Sequence, residues 1–202
     1  MRIISGKHKG RVIKMPKGIR PTQNKVRKAL FDILGDISGL SFLELFAGSG
    51  AVGIEALSQG AKEVVFVEKD TRCIEVIEAN LLLLSAKDIG GSAKICGGGY
   101  LSYGIIGLDS FKAIEALAKN KKRFDIIFSD PPYYQGLLKK TLQMLGAYDI
   151  LAPNGFIVMQ HFKRDELPGK AGEFSLIKEA RYGDTVLSFY QKKHVPDSHI
   201  SR

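Results

Sequence analysis

Phe42-Leu43-Glu44-Leu45-Phe46-Ala47-Gly48-Ser49-Gly50-Ala51-Val52-Gly53 is the stretch that decides the fold. It opens as a short apolar run of the kind found in a strand buried on both faces. It closes as the start of an apolar helix, predicted over residues 51–59 and stopped by Gly60. Between the two, glycines at 48 and 50 let the backbone turn and let a ligand come close, and the helix N-terminus offers unpaired N–H groups. Gly48-Ser49-Gly50-Ala51-Val52-Gly53 fits the GxGxxG nucleotide pattern, and Glu68 ends the next predicted strand at a suitable spacing for ribose hydroxyls. NAD, FAD and S-adenosylmethionine sites all use such a loop, because each seats an adenosine beside a strand end. Glu44 tilts the choice toward S-adenosylmethionine: a carboxylate two residues before the loop can receive an ammonium but would repel a pyrophosphate.

Outward from this unit, strands and helices alternate. Strands are predicted over 41–46, 63–68, 101–106, 123–129 and 155–162, and helices over 51–59, 71–86, 110–119 and 137–148. A hairpin of 174–180 and 185–191 follows, around Tyr182-Gly183-Asp184. Such alternation argues for an α/β fold with a mainly parallel sheet and helices on both faces. The glycine-rich stretch 90–107 leaves a second candidate for the third strand, Ala93–Cys96. Asp109, just after it, can accept from an adenine amino group or cap the helix that follows.

The second informative stretch is Phe124-Asp125-Ile126-Ile127-Phe128-Ser129-Asp130-Pro131-Pro132-Tyr133. A strand cannot run through two prolines, which lack N–H donors and fix φ, so the chain leaves the strand tip in a stiff turn. In open α/β sheets that edge binds ligands. The turn offers a carboxylate, free carbonyls and an aromatic ring, which suit a flat, nitrogen-bearing substrate.

At 202 residues the chain fits one domain with a small appendage, and 45% hydrophobic residues suffice for a core. No apolar run reaches membrane-span length, no signal peptide is visible, and Cys73 and Cys96 have no metal spacing. The expectation is a cytoplasmic monomer with ordinary thiols and no metal. The net charge of +9 is uneven: residues 1–28 carry ten Lys or Arg and no acid. Residues 2–15 are predicted as a hairpin ended by Pro16, and a helix capped by Thr22 carries the stripe Val26, Leu30, Ile33, Leu34 before Gly35. The expected organisation is a basic nucleic-acid-binding module over 1–35, a catalytic domain over 36–192 and a frayed tail over 193–202.

Together these residues resemble the class I methyltransferases that modify exocyclic amino groups. Within them the chain is similar to the bacterial 16S ribosomal RNA guanine-N2 methyltransferase family known as RsmD. The likeness spans about residues 1–192. It rests on Arg2-Ile3-Ile4-Ser5-Gly6, Arg20-Pro21-Thr22, Leu43–Gly50, Glu55-Ala56-Leu57-Ser58-Gln59-Gly60-Ala61, Phe66-Val67-Glu68 and Asp130-Pro131-Pro132-Tyr133. The chain departs from the family at position 44, Glu where Asp is usual, and in its glycine-rich segment 90–107.

The resemblance implies a Rossmann-like, seven-stranded sheet, S-adenosylmethionine as donor and one guanine of small-subunit ribosomal RNA, free or in an assembling 30S particle, as target. The expected catalytic turn is Asp130, Pro131, Pro132 and Tyr133. The expected cofactor residues are Glu44, Phe46, Ala47, Gly48, Ser49, Gly50, Glu68, Lys69 and Asp109. The expected RNA-binding residues are Arg2, Lys7, Lys9, Arg11, Lys14, Arg20, Thr22, Lys25 and Arg27, with Arg20 and Thr22 at the active-site mouth. Two other activities use parts of the same pattern: adenine-N6 methylation of DNA, and hydride transfer with a nicotinamide cofactor. A non-enzymatic RNA-binding module would need neither the loop nor the turn.

Overall fold

Ser41–Leu45 (β1) is buried along its whole length, because it lies inside the sheet and helices cover both faces. Its neighbours are the parallel strands Glu63–Val67 (β2) and Phe124–Ser129 (β4). Ser102–Ile106 (β3) adds to β2 and Leu151–Phe162 (β5) to β4, both parallel. Antiparallel Thr185–Lys192 (β8), Phe174–Tyr182 (β7) and the two-residue Lys170–Ala171 (β6) complete an eight-stranded sheet of order β3-β2-β1-β4-β5-β8-β7-β6. The short β6 is one strand beyond the seven expected. The computed structural model describes residues 1–18, 22–85, 102–132 and 136–192. The alternative strand Ala93–Cys96, Arg20, Tyr133 and the tail 193–202 lie outside them.

Helices Asn24–Leu34 (α1), Ala51–Ser58 (α2) and Thr71–Ser85 (α3) pack with one face of the sheet, and Ser110–Lys119 (α4) and Leu137–Ala147 (α5) with the other. Strand alternation assigns the faces. Phe42, Phe66 and Phe128 join Leu30, Ile54 and Ile77 in one core, while Leu43, Leu45 and Ile127 join Ile114 and Leu142 in the other. Glu44 lies on the Phe42 face and so points at α2. The third strand follows the preferred reading. The fifth begins four residues earlier than expected: the register slips between Phe124↔Leu151 and Ile126↔Phe156, and Pro153 falls in the slipped part, where the ladder needs no N–H from it.

The N-terminal residues do not stand apart from this sheet. Ile3, Ile13, Val26 and Leu30 belong to the same apolar core as Phe42 and Ile54. The predicted hairpin is present as one antiparallel bridge, Arg2↔Val12, with the Ile3 N–H on the Arg11 carbonyl and the Ile13 N–H on the Met1 carbonyl, and its other backbone groups bond to helices. Glu55 of α2 accepts from the N–H groups of Ile4 (2.9 Å) and Ser5 (2.7 Å), and the Lys7 N–H donates to the Ser58 carbonyl. The Asn80 side chain exchanges two bonds with the Lys14 backbone. Gly6 is obligatory there: its φ is 78°, and a Cβ would lie 1.8 Å from the Ser58 carbonyl oxygen.

Two expectations for this region need correction. Arg27 is not a surface contact for RNA but is completely buried. Positions 27, 30, 31 and 34 follow the i, i+3, i+4, i+7 rule, so Arg27 sits on the inner stripe of α1. Its guanidinium donates to the Arg2 carbonyl, Met1 Sδ and Asn24 Oδ1, and lies 3.5 Å from Glu55. Thr22 does not cap α1 either. Gln23 occupies the N-cap without a side-chain bond, and the Thr22 hydroxyl turns toward the sheet.

Candidate active site

The strand order reverses between β1 and β4, and ligand crevices form at such a switch point. Leu45 is in register with Ser129, so the glycine loop after β1 and the Asp-Pro-Pro turn after β4 emerge side by side. They bound a cavity of about 980 Å³. Glu44 lines it from β1, Phe46, Ala47, Gly48 and Ser49 from the loop after β1, Glu68 and Lys69 from beyond β2, Asp109 from beyond β3, and Asp130, Pro131 and Pro132 from beyond β4. Gly50 stands behind the wall as the N-cap of α2, in a left-handed conformation.

The loop holds its shape by backbone geometry. Phe46, Gly48 and Gly50 all have positive φ, at 57°, 55° and 69°. Phe46 is the costly member, since a side chain disfavours that region, and such strain collects at working sites. Glu68 fastens the loop to β2: its carboxylate accepts from Gly48 N–H at 2.7 Å and from Lys69 and Asp70 N–H. Asp109 caps α4 by accepting from Phe111 N–H, while still lining the cavity.

Two carboxylates give the cavity its electrostatic character. Glu44 is buried and accepts from Gly53 N–H at 2.8 Å. Burial pushes its carboxyl up to about 8; bonds from the Gly53 and Val52 backbone oppose this, and the nearby charge of Asp130 adds to it. Asp130 is pushed up to about 7, again by burial, against hydrogen bonds from Thr22 and Gln160. Gly53 is forced by the first seat: a Cβ there would stand 2.7 Å from Glu44 Oε2 and 2.4 Å from Phe66. Cys73 also lines the cavity, and burial raises its thiol to about 11.

Sequence reasoning missed several wall residues. Gln160 of β5 donates to Asp130 Oδ2 at 2.7 Å, and Phe162, Tyr182 and Asp184 close the far side. The available signal was weak: Gln160 is one polar residue near the end of a mostly apolar strand. Thr22 was expected at the mouth and does line the cavity. Of the basic candidates, Arg2, Lys7, Lys9, Lys14 and Lys25 are exposed, and Arg11 is half-buried with its guanidinium on the Leu84 carbonyl. No helix among the described residues is long and apolar enough to cross a membrane.

Comparison with known proteins adds a second line. The model of the family described as conserved hypothetical protein 95 matches residues 1–191. YlbH of Bacillus subtilis (strain 168) is 37% identical over 196 residues, covering 96% of this chain and all of that protein. "Ribosomal RNA small subunit methyltransferase D" of Escherichia coli (strain K12) is 32% identical over 196 residues, covering 96% of this chain and 90% of that one. The solved structure of yhhF from Escherichia coli superposes with a TM-score of 0.77 at 29% identity, covering 96% and 98% of the two chains.

Proposed function

We propose, for a chain that belongs to the conserved hypothetical protein 95 family, the RsmD family of ribosomal RNA methyltransferases, transfer of a methyl group from S-adenosylmethionine to a guanine N2 amine of small-subunit ribosomal RNA. The observation that carries this reading is the placement of Asp130, at a proline-stiffened strand tip, in one cavity with Glu44 and the glycine loop.

The cavity suits a cationic donor. Glu44 and Asp130 both resist ionisation when the cavity holds no compensating charge. An ammonium and a sulfonium would relieve that cost, whereas a dinucleotide pyrophosphate would face Glu44, Glu68 and Asp130 with like charge. Glu44 is assigned to the ammonium end, the 46–50 loop to the close backbone approach, and Glu68 to the ribose. S-adenosylmethionine supplies an electrophilic methyl group.

The chain's own residues do the rest. A guanine N2 amine is a weak nucleophile, because its lone pair is delocalised into the ring. Asp130 and the Pro131 carbonyl accept its two N–H bonds, which orients the amine and raises electron density on nitrogen. The prolines keep these acceptors rigid. With its carboxyl near 7, Asp130 is also placed to take the proton that the methylated amine sheds. Tyr133 is assigned to stacking on the base, which must leave its stack to enter. Exposed Arg2, Lys7, Lys9, Lys14 and Lys25 are assigned to the RNA backbone.

Asp130→Ala is expected to lower kcat by ~10³-fold or more, with S-adenosylmethionine affinity kept within about twofold by calorimetry. Near-normal turnover on small-subunit particles would refute the assignment. Mass mapping of ribosomal RNA from cells lacking the protein should show one N2-methylguanosine missing.

A further inference from the structure

We infer that Gln160 is a positioning residue for methyl transfer: with Thr22 it clamps one oxygen of Asp130, leaving Oδ1 to take an N–H of the target amine. This rests on the reading of Asp130 given above. Both contacts end on Oδ2, Gln160 Nε2 at 2.7 Å and Thr22 Oγ1 at 3.3 Å. They arrive from different directions. Thr22 precedes α1, and Gln160 sits on β5 beside the tip of β4, where Ser129 is in register with Met159. Two donors from separate elements leave the carboxylate one orientation.

The amide cannot turn over to undo this. With Asp130 ionised, as it must be to accept from the amine, the amide oxygen would then face a carboxylate, and both groups only accept. Gln160 is 4% exposed, and among the described residues Oε1 has no hydrogen-bond partner. A buried, half-satisfied amide is a cost, so holding Asp130 is the return for it.

The clamp is also made of neutral donors. A Lys or Arg in the same place would hold the carboxylate ionised too firmly for it to accept a proton. Two neutral donors offset part of the burial cost and leave Asp130 able to cycle. Other charged or titratable groups on the cavity wall are Glu44 from β1, Glu68, Lys69 and Asp70 beyond β2, Cys73 of α3, Asp109 before α4, and Tyr182 and Asp184 at the β7–β8 turn, Asp184 being paired with Lys163.

The test uses the full chain, S-adenosylmethionine and small-subunit particles from cells lacking the activity, with kcat followed against pH. Gln160→Leu should lower kcat ~10- to 100-fold and shift the acidic limb upward, with cofactor affinity unchanged within about twofold. Gln160→Glu can donate only while protonated, so its profile should become bell-shaped with a new alkaline limb. If Gln160→Leu does not fold, the Gln160→Glu profile decides. A kcat within about twofold of the parent, or a lower kcat with an unmoved profile in either variant, overturns the inference. Asp130→Asn at the parental rate would overturn the reading beneath it instead.

Discussion

Glu44, buried, and Asp130, half-buried, are acids on one cavity, yet their seats are built in opposite ways. Glu44 is held by the backbone of α2, through Gly53, only nine residues along the chain. Asp130 is held by side chains, Thr22 and Gln160, which are 108 and 30 residues away. A seat made of neighbouring backbone needs only a strand, a glycine turn and a helix in succession. A seat made of distant side chains exists only when the N-terminal segment, β4 and β5 have all docked. The difference matches the proposed tasks. On the proposed reading the cofactor side can be rigid and local, while the substrate side joins the Asp-Pro-Pro turn to the segment that carries the basic residues.

The largest test of this contrast strikes the peg of the distant seat. Arg27→Ala leaves Glu55 buried without its cation and frees the segment bearing Thr22. A loss of ~3–5 kcal/mol in denaturant unfolding is expected. The exposed pair Lys28–Asp32, on the same helix, should be worth under ~0.5 kcal/mol. Equal effects would mean that Arg27 anchors nothing. A smaller blow falls on the local seat. Gly53→Ala drives a Cβ into Glu44 and Phe66 and should cost ~1–3 kcal/mol. It should weaken S-adenosylmethionine binding while leaving the Asp130 seat intact, and unchanged affinity would sever Gly53 from the cofactor site.

Acid–base behaviour sharpens the comparison further. Both carboxyls are raised by the fold, Glu44 to about 8 and Asp130 to about 7. A raised acid stabilises the fold while protonated, so its contribution is complete below the ordinary carboxylate range and fades as pH climbs through the folded value. The ligand-free protein should therefore lose stability between about pH 4 and 8. Glu44→Gln and Asp130→Asn should each flatten that decline, as read by denaturant titration across pH. Saturating S-adenosylmethionine should flatten it too, because a bound cation favours the ionised acids. A slope unmoved by either substitution would deny both shifts.

The smallest expected effect concerns the segment that carries Thr22. Lys7→Gln, Lys9→Gln and Lys14→Gln together should weaken RNA binding and lower the slope of log K against log salt, by ~0.7–0.9 for each phosphate contact removed. An unchanged slope would leave this segment as a support for Asp130 with no hold on RNA.

Two elements show how far the sequence could be read. The strand–glycine loop–helix unit over 41–58 was legible because all its determinants are contiguous: an apolar run, glycines at the turn and an apolar helix start. The Asp-Pro-Pro turn was legible for the same reason, since proline acts on its own neighbours. The chain leading into α1 and its first turn were misread in two places. Arg27 looked like part of a basic surface until the helical stripe put it against Glu55. Thr22 looked like a helix cap until its hydroxyl was found on Asp130.

What the sequence settled alone was therefore the parts whose geometry follows from adjacent residues: a mainly parallel α/β sheet, a glycine loop and a rigid acidic corner. Only the tertiary structure decided which partners meet at that corner. Hydrogen bonds and ion pairs between distant segments depend on directions that no local pattern encodes. A threonine, a glutamine and an arginine carry no mark of their roles until the sheet brings their partners within reach.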